Sequence, residues 1–237
     1  MSEIFNANRT PDFNSGEIIV IDKEKGWSSF DIVNKIKFIL KHKFGLNKIK
    51  IGHAGTLDPL ATGVMIICTG KATKTISELQ ITEKEYLATI QIGATTPSYD
   101  LETEITQTFP TDSITEKQIL QVLKCFEGEI YQTPPIFSAI WHKGKRAYKF
   151  AREGQEINLK KRKVFINNIK LEEFILPYAT LSVTCSTGTY IRSLANDIGK
   201  KLDNGAFLYY LRRIRCGNFT LNDAINIEEF EKIINKM

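Results

Sequence analysis

Apolar residues along the chain fall into two kinds of pattern. Short runs that are apolar throughout, or that alternate with polar residues, predict strands; these runs are Glu17–Asp22, Val64–Cys68, Glu85–Gly93, Val164–Phe174, Ala179–Ser186 and Tyr209–Phe219. Apolar residues at helical spacing predict helices after Ser28, over Thr115–Glu127, after Thr187-Gly188 and at the end of the chain. Strands interrupted by single helices favour an α+β fold with a mixed or antiparallel sheet over regular βαβ alternation.

Length and local composition predict the domain organisation. The 237 residues are enough for one or two domains with a sizeable core. Residues 1–16 are polar and predict a flexible segment, whereas residues 17–237 predict a single domain. Within it, residues 131–163 open near two prolines, pass through a basic and aromatic run and end in KKRK, so we interpret them as an insertion.

Several classes of protein are excluded by features that the sequence lacks. No apolar stretch reaches the length of about 18 residues that spans a bilayer, and the N-terminus lacks the basic and apolar regions of a secretory signal. The four cysteines and three histidines show neither a CxxC pair nor a metal-ligand spacing. We therefore expect a cytoplasmic protein without membrane contact, disulfide framework or metal site.

Positive charge is concentrated in two segments. Residues 35–50 carry six lysines and no acidic residue, and residues 143–163 carry nine lysines and arginines against two glutamates, although the whole chain has a net charge of only +5. Such concentration is expected of a protein that binds a polyanion. Two solvated basic faces would give the same counts, so the charge leaves both interpretations open.

The loop GHAGTLDPLATG (52–63) is the most specific stretch, because three glycines and a proline restrict its backbone path. Asp58 precedes the proline and is therefore biased away from helix. Its carboxylate is either a nucleophile or base held at the entrance of a strand, or part of an ordinary Asp-Pro turn. His53 in the same loop can equally be a histidine of the core.

Candidate chemistry also lies outside this loop. Arg192 stands at the start of a predicted helix, where a positive charge opposes the helix dipole, and this indicates a carboxylate or phosphate partner. Tyr86 in a predicted strand fits packing as well as a site. The run FSAIWHKGKRAYKFAR (137–152) interleaves aromatic and basic residues, as expected for binding unstacked RNA or for a solvated hairpin. Gly70-Lys71 has neither the glycine spacing nor the Ser or Thr of a phosphate loop, which disfavours a phosphate-transfer enzyme.

Five motifs in order resemble the bacterial TruB-type tRNA pseudouridine-55 synthases, over about residues 17 to 225. GHAGTLDPLATG looks like the catalytic loop of that family almost letter for letter. The other motifs are KEYLATIQIGATT (84–96), QTPPIFSAI with GKRAYKFAREG (132–154), CSTGTYIRSLANDIG (185–199) and YLRRIRCG (210–217). The resemblance implies the pseudouridine synthase fold, with a mainly antiparallel central sheet, flanking helices and an RNA-gripping insertion.

The resemblance also implies an activity, the isomerisation of uridine 55 in the T loop of tRNA after base flipping, without a cofactor. The catalytic residues it implies are Asp58, which attacks the target nucleotide, Tyr86, which stacks on the base and moves a proton, and Arg192, which pairs with the aspartate. Contacts with the substrate RNA are expected for His53, Tyr190, Leu211, Asp100, Lys23, Lys145, Arg146 and Arg152. The expected partner is the T arm of tRNA, bound by a monomer that requires no protein partner.

The chain departs from the family pattern at three places: Glu24 follows Lys23 where proline is usual, Pro97-Ser98 replaces an acidic turn, and Trp141 stands where lysine is common. The change at 97–98 makes Asp100 a weaker assignment than Asp58. We also expect no full C-terminal RNA-binding domain. Two alternatives stay open, a non-catalytic RNA-binding module of the same ancestry and a synthase that acts on another RNA.

Overall fold

The computed structural model of the protein describes residues 3–6 and 9–237. Its helices are α1 (Ser29–Phe44), α2 (Ile76–Gln80), α3 (Glu116–Leu123), α4 (Ala147–Arg152), α5 (Ile191–Lys201) and α6 (Ile227–Lys236). Its strands are β1 (Glu3–Ile4), β2 (Glu17–Lys23), β3 (Ile51–His53), β4 (Thr62–Thr69), β5 (Lys84–Ile92), β6 (Ala94–Thr95), β7 (Gln107–Thr108), β8 (Gly128–Gln132), β9 (Trp141–His142), β10 (Lys145–Arg146), β11 (Arg162–Ile175), β12 (Tyr178–Cys185), β13 (Ala206–Cys216) and β14 (Phe219–Thr220). None of the helices in the described ranges is both long enough and apolar enough to cross a membrane.

The chain forms two compact units, the first made of Met1–Glu85 with Arg212–Met237 and the second of Tyr86–Leu211. In the first unit β1 pairs in parallel with β2, whereas β2 and β3 both pair antiparallel with β4. The end of β13 pairs in parallel with the start of β4. Buried side chains of β2 and β4 form one apolar cluster, which includes Ile18, Val20, Val64, Ile66 and Cys68.

Helix α1 of the first unit shows clear start and stop signals. It begins at a capping box in which the side chains of Ser28 and Asp31 accept hydrogen bonds from each other's backbone N–H groups. Gly45, with a φ of 67°, ends the helix in the left-handed conformation. The helix packs on the unit through its buried residues Ser29, Ile32, Ile36, Ile39 and Leu40.

In the second unit the strand order is β13-β5-β12-β11-β8, and β11 pairs antiparallel with both β12 and β8. Every second residue of β5 and of β12 is buried, as expected for strands with one covered face. The insertion leaves the sheet after Gln132 and returns at Arg162, and these two residues are paired neighbours. Between them lie the β9–β10 hairpin and helix α4.

The α+β fold predicted from the sequence is confirmed, with a mainly antiparallel sheet and flanking helices. Within the segment 1–16, expected to be flexible, β1 pairs with β2; residues 1, 2, 7 and 8 lie outside the described part. The helix predicted over Thr115–Glu127 ends its α-helical part at Leu123 and continues as a 3-10 turn, because the chain must be extended from Gly128 to pair with β11.

Candidate active site

Asp58 lies on the loop between β3 and β4, and hydrogen bonds hold this loop on both sides of it. The carbonyl oxygen of Asp58 accepts the N–H of Ala61 at 3.0 Å, which closes a turn with Pro59 in its second position. Ser29 Oγ, in the first turn of α1, accepts the N–H of Leu57 and donates to its carbonyl oxygen, each at 2.9 Å. The half-buried Asp58 carboxylate is therefore carried by a backbone with little freedom.

Lys23, at the end of β2, is buried inside this loop region with no exposed surface. Its ammonium donates hydrogen bonds to three main-chain carbonyl oxygens, those of Trp27 (2.7 Å), Glu24 (3.0 Å) and Pro59 (3.4 Å). Burial lowers the pKa of Lys23 from 10.5 to about 8, with the Asp58 carboxylate opposing the shift and Arg213 adding to it. Lys23 therefore has no exposed side-chain surface for the RNA contact expected of it. It interacts with Asp58 through its charge.

Arg213 of β13 is a second buried cation and joins the two ends of the loop. It is 1% exposed, and its guanidinium donates to the carbonyl oxygens of Val64 at 2.7 Å and Gly55 at 3.2 Å. Arg213 is also the strand partner of Gly63, whose φ is 103° and where an added Cβ would lie 2.2 Å from the Arg213 carbonyl oxygen. Arg213 was not among the site residues predicted from the sequence; strand alternation, which puts it on the same face as the buried Leu211, is the signal that points to it.

His53 ends β3 and is half-buried. Burial lowers the pKa of its imidazole, the positive charge of Arg213 lowers it further, and a backbone hydrogen bond with Gly55 acts in the opposite direction. Burial and Arg213 therefore favour the neutral form of the imidazole. In this form it can form a hydrogen bond or pack against a base, and it adds no positive charge for a phosphate.

The second unit brings Arg192 and Asp100 together. Both are buried, at 3% and 4% exposure, and Nε of Arg192 lies 3.6 Å from Oδ2 of Asp100. The guanidinium also donates to the carbonyl oxygens of Ser98 at 3.2 Å and Phe137 at 2.9 Å. One carboxylate and two carbonyls hold the planar group in a single orientation. Asp100, the weaker assignment from the sequence, thus has a defined place beside Arg192.

Three more predicted residues belong to this unit. Tyr86 on β5 and Leu211 on β13 are buried, at 7% and 8% exposure. Tyr190 is half-buried at the N-cap of α5, and its N–H donates to Oε1 of Gln132 at 2.8 Å. The predicted residues therefore divide into two groups, with Asp58, His53 and Lys23 in the first unit and Tyr86, Asp100, Tyr190, Arg192 and Leu211 in the second.

The basic residues expected to bind RNA lie on the insertion and stack against its aromatic rings. The Arg146 guanidinium lies 4.4 Å from the centre of the Trp141 ring, and the Arg152 guanidinium lies 5.3 Å from that of Tyr148. Trp141 is 63% exposed. The ion pairs here are long and exposed: Lys145–Glu153 at 3.9 Å and Arg152–Glu102 at 3.8 Å. Such pairs contribute little to stability, so RNA can displace them at small cost.

Comparison with known proteins decides the family. The model of the TruB family pseudouridylate synthase N-terminal domain matches residues 41–191. The model of the tRNA pseudouridylate synthase B C-terminal domain matches residues 192–237. The chain belongs to the TruB family of pseudouridylate synthases. The resemblance drawn from the five motifs is thereby confirmed.

Relatives within the TruB family match over nearly their whole length. The tRNA pseudouridine synthase B of Flavobacterium johnsoniae is 54% identical over 94% of this chain and 98% of the relative. That of Phocaeicola vulgatus is 53% identical over 92% and 93%. The solved structure of a Cbf5-Nop10-Gar1 complex contains a chain that is similar to this one, with a TM-score of 0.71 and 30% identity; the match covers 96% of this chain but only 58% of that one. This agreement confirms the pseudouridine synthase fold.

Proposed function

We propose that this TruB-family chain is a tRNA pseudouridine synthase that isomerises uridine 55 in the T loop, with Asp58 attacking the target nucleotide. The observation that carries the proposal is the half-buried Asp58 on a loop fixed by Ser29, Lys23 and Arg213. Relatives named tRNA pseudouridine synthase B, more than half identical to this chain, support the substrate class.

The reaction needs a held carboxylate and consumes no external group except protons. The C1′–N1 bond of uridine breaks, the uracil turns, and a C1′–C5 bond forms. The hydrogen on C5 leaves as a proton and N1 gains one, so atoms and electrons balance within the nucleotide and solvent. Asp58 can serve as a nucleophile at C1′ or C6, or as a base in a glycal route.

The remaining residues are assigned to moving and holding the uracil. The base must first leave the stack, at a cost of about a few kcal/mol. We assign displacement of the base to His53, whose neutral imidazole suits packing against it. Tyr86 is assigned to stacking on the base and to proton transfer. Tyr190 and Leu211 are assigned to lining the uracil pocket. Arg192, which Asp100 orients, is assigned to pairing with Asp58.

We assign binding of the T arm to the insertion. Its exposed Lys145 and Arg152 and its half-buried Arg146 suit the phosphates of the T arm, and Trp141 adds a ring on which a base can stack. Binding through such contacts is sensitive to salt. We propose that the protein works as a monomer in the cytoplasm and without a protein partner.

The test is release of tritium from unmodified tRNA transcribed with [5-³H]uridine, because C5 loses its hydrogen only when the new bond forms. We expect release of about one tritium per tRNA from the wild type, none from Asp58→Asn, and full release from Asp112→Asn, a matched change at an exposed aspartate. Replacing U55 of the tRNA by cytidine should abolish release.

Two results would contradict the proposal. Tight, salt-sensitive binding of tRNA without release from the wild type would favour the non-catalytic RNA-binding module. Release that persists from the tRNA lacking U55 would mean that the enzyme acts at another uridine.

A further inference from the structure

We propose that the outer face of α1, formed by Phe30, Asn34, Lys37, Phe38, Lys41 and Phe44, is a second RNA-binding surface. It would contact the RNA beyond the nucleotide that reaches Asp58. The inference rests on the proposed function in two respects: the RNA is a tRNA, and its target nucleotide reaches Asp58.

The six residues of this outer face form one continuous exposed stripe. They recur at intervals of three and four residues, which places them within about one third of the helix circumference, opposite the buried residues Ile36 and Ile39. The three rings are exposed: Phe30 by 69%, Phe38 by 55% and Phe44 by 39%. Exposed aromatic rings grouped on one face indicate a binding surface rather than the scatter of single apolar residues that is normal.

The outer face carries positive charge that is not used in ion pairs within the described residues. Other lysines of α1 are engaged with α6: Lys35 with the Glu231 carboxylate at 2.7 Å, and Lys43 with the carbonyl oxygen of Asn235 at 2.9 Å. Lys37 and Lys41, which precede and follow Phe38, are exposed and have no ion pair within the described ranges 3–6 and 9–237. A ring between two free ammonium groups suits a base next to phosphates.

The outer face also starts beside the catalytic loop. Ser29 is bonded to Leu57, the residue before Asp58, and Phe30 follows it in α1. With a rise of 1.5 Å per residue, Lys37 and Lys41 lie about 12 and 18 Å along the helix axis from Ser29. Since an RNA strand carries a phosphate at every nucleotide, one whose target reaches Asp58 has other phosphates within this distance.

Two other occupants fit less well. A two-fold symmetric dimer through this face would bring Lys37 and Lys41 against the same lysines of the second copy. An anionic membrane would favour rings in the middle of the face with lysines at its borders. Here the two lysines occupy the middle, between Phe30 and Phe44.

The experiment measures the Kd of unmodified full-length tRNA at several KCl concentrations, with no turnover required. We expect Lys37→Gln with Lys41→Gln to weaken binding about tenfold at low salt and to reduce the slope of log K against log [salt] by about 2. Phe38→Ala should weaken binding about fivefold or more without changing the slope. The matched control is Lys117→Gln with Lys124→Gln, the same charge change at exposed lysines of α3 and the turn after it, and it should bind as the wild type does.

An unchanged Kd and slope in the α1 double variant would overturn the proposal, and so would an equal loss in the control pair. Loss of binding to anionic vesicles while tRNA binding stays intact would assign the face to a membrane instead. Failure of the proposed function has a different signature, absence of tritium release from the wild type. In the α1 variants, release at saturating tRNA should stay at the wild-type rate.

Discussion

The loop that carries Asp58 and the insertion both connect strands, yet their charged side chains make different contacts. Around Asp58, buried groups contact the backbone: Ser29 Oγ, the Lys23 ammonium and the Arg213 guanidinium all bond to peptide carbonyls. In the insertion the charged side chains contact one another or an aromatic ring, as Arg146 does with Trp141, and Arg146 also donates to the carbonyl oxygen of Ala139 at 2.5 Å.

This difference fits the two tasks that we propose for these segments. A carboxylate that must meet one atom of a flipped nucleotide gains from a backbone fixed in advance. A surface that must follow an RNA backbone gains from contacts that are weak and easily exchanged for phosphates. We therefore expect substitutions near the loop to affect stability and turnover, and substitutions in the insertion to affect affinity and its dependence on salt.

The largest effect should come from Arg213→Met. It leaves the buried carbonyls of Gly55 and Val64 without their donor, so we expect a loss of about 3 kcal/mol in the free energy of unfolding, together with slower turnover. Urea denaturation gives the free energy. The control is Arg215→Met on the same strand, which removes partly exposed ion pairs to Glu83 and Glu85 and should cost less than about 1 kcal/mol. Equal losses would show that Arg213 is not a brace of the loop.

The next effect concerns Arg192 and Asp100, which should act as a unit. Lysine keeps the charge but cannot make all the contacts of the guanidinium, so Arg192→Lys should lower kcat/KM about 100-fold, and Asp100→Asn should do so too. In a double-mutant cycle on kcat/KM the pair should show a coupling energy of about 2 kcal/mol. Additive losses in kcat/KM would show that Arg192 and Asp100 act independently.

A smaller effect is expected in the insertion. Arg146→Ala with Arg152→Ala should weaken tRNA binding about tenfold at low salt and lower the salt slope by about 2, whereas kcat at saturating tRNA stays unchanged. Filter binding across a salt series measures both quantities. Lys117→Ala with Lys170→Ala, at exposed lysines outside the insertion, is the control. A fall in kcat without a change in Kd would contradict the division of tasks.

The smallest effect is a pH dependence. The pKa of Lys23 is about 8 in the folded protein against 10.5 in the unfolded chain, so between these values the unfolded chain binds more protons and stability rises with pH. We expect a gain of about 1 kcal/mol between pH 8 and 9 that Lys23→Met abolishes. The exposed Lys25→Met should keep the wild-type profile. A wild-type profile in Lys23→Met would mean that another group is responsible.

Much of the fold could be predicted because local patterns agree with tertiary contacts. Alternation in Glu85–Gly93 predicted β5, which spans Lys84–Ile92. The capping box at Ser28 and Asp31 marked the start of α1. The prediction was less accurate where tertiary contacts decide the position of a turn. The strand predicted over Tyr209–Phe219 is divided at Gly217, and β14 folds back to pair with β13.

The motif residues of the candidate site could be proposed from the sequence, whereas the residues that support them could not. Asp58 and Arg192 lie in motifs that can be found from the sequence alone. Arg213 and Ser29 hold the loop through side chain to backbone bonds between residues 28 or more positions apart. The spacing of neighbouring residues in the sequence does not predict such long-range hydrogen bonds. The burial of Lys23 was hidden for the same reason, since a lysine at a strand end usually faces solvent.

The pairing of Gln132 with Arg162 has a consequence for how such proteins diversify. The chain leaves β8 and re-enters β11 at adjacent positions, so the segment between them can lengthen, shorten or be exchanged without shifting the register of either strand. The entropy of closing such a loop grows only slowly with its length. With the role that we propose for the insertion, changes confined to this one segment would alter the RNA that a related protein recognises, while the strands and helices around Asp58 stay the same.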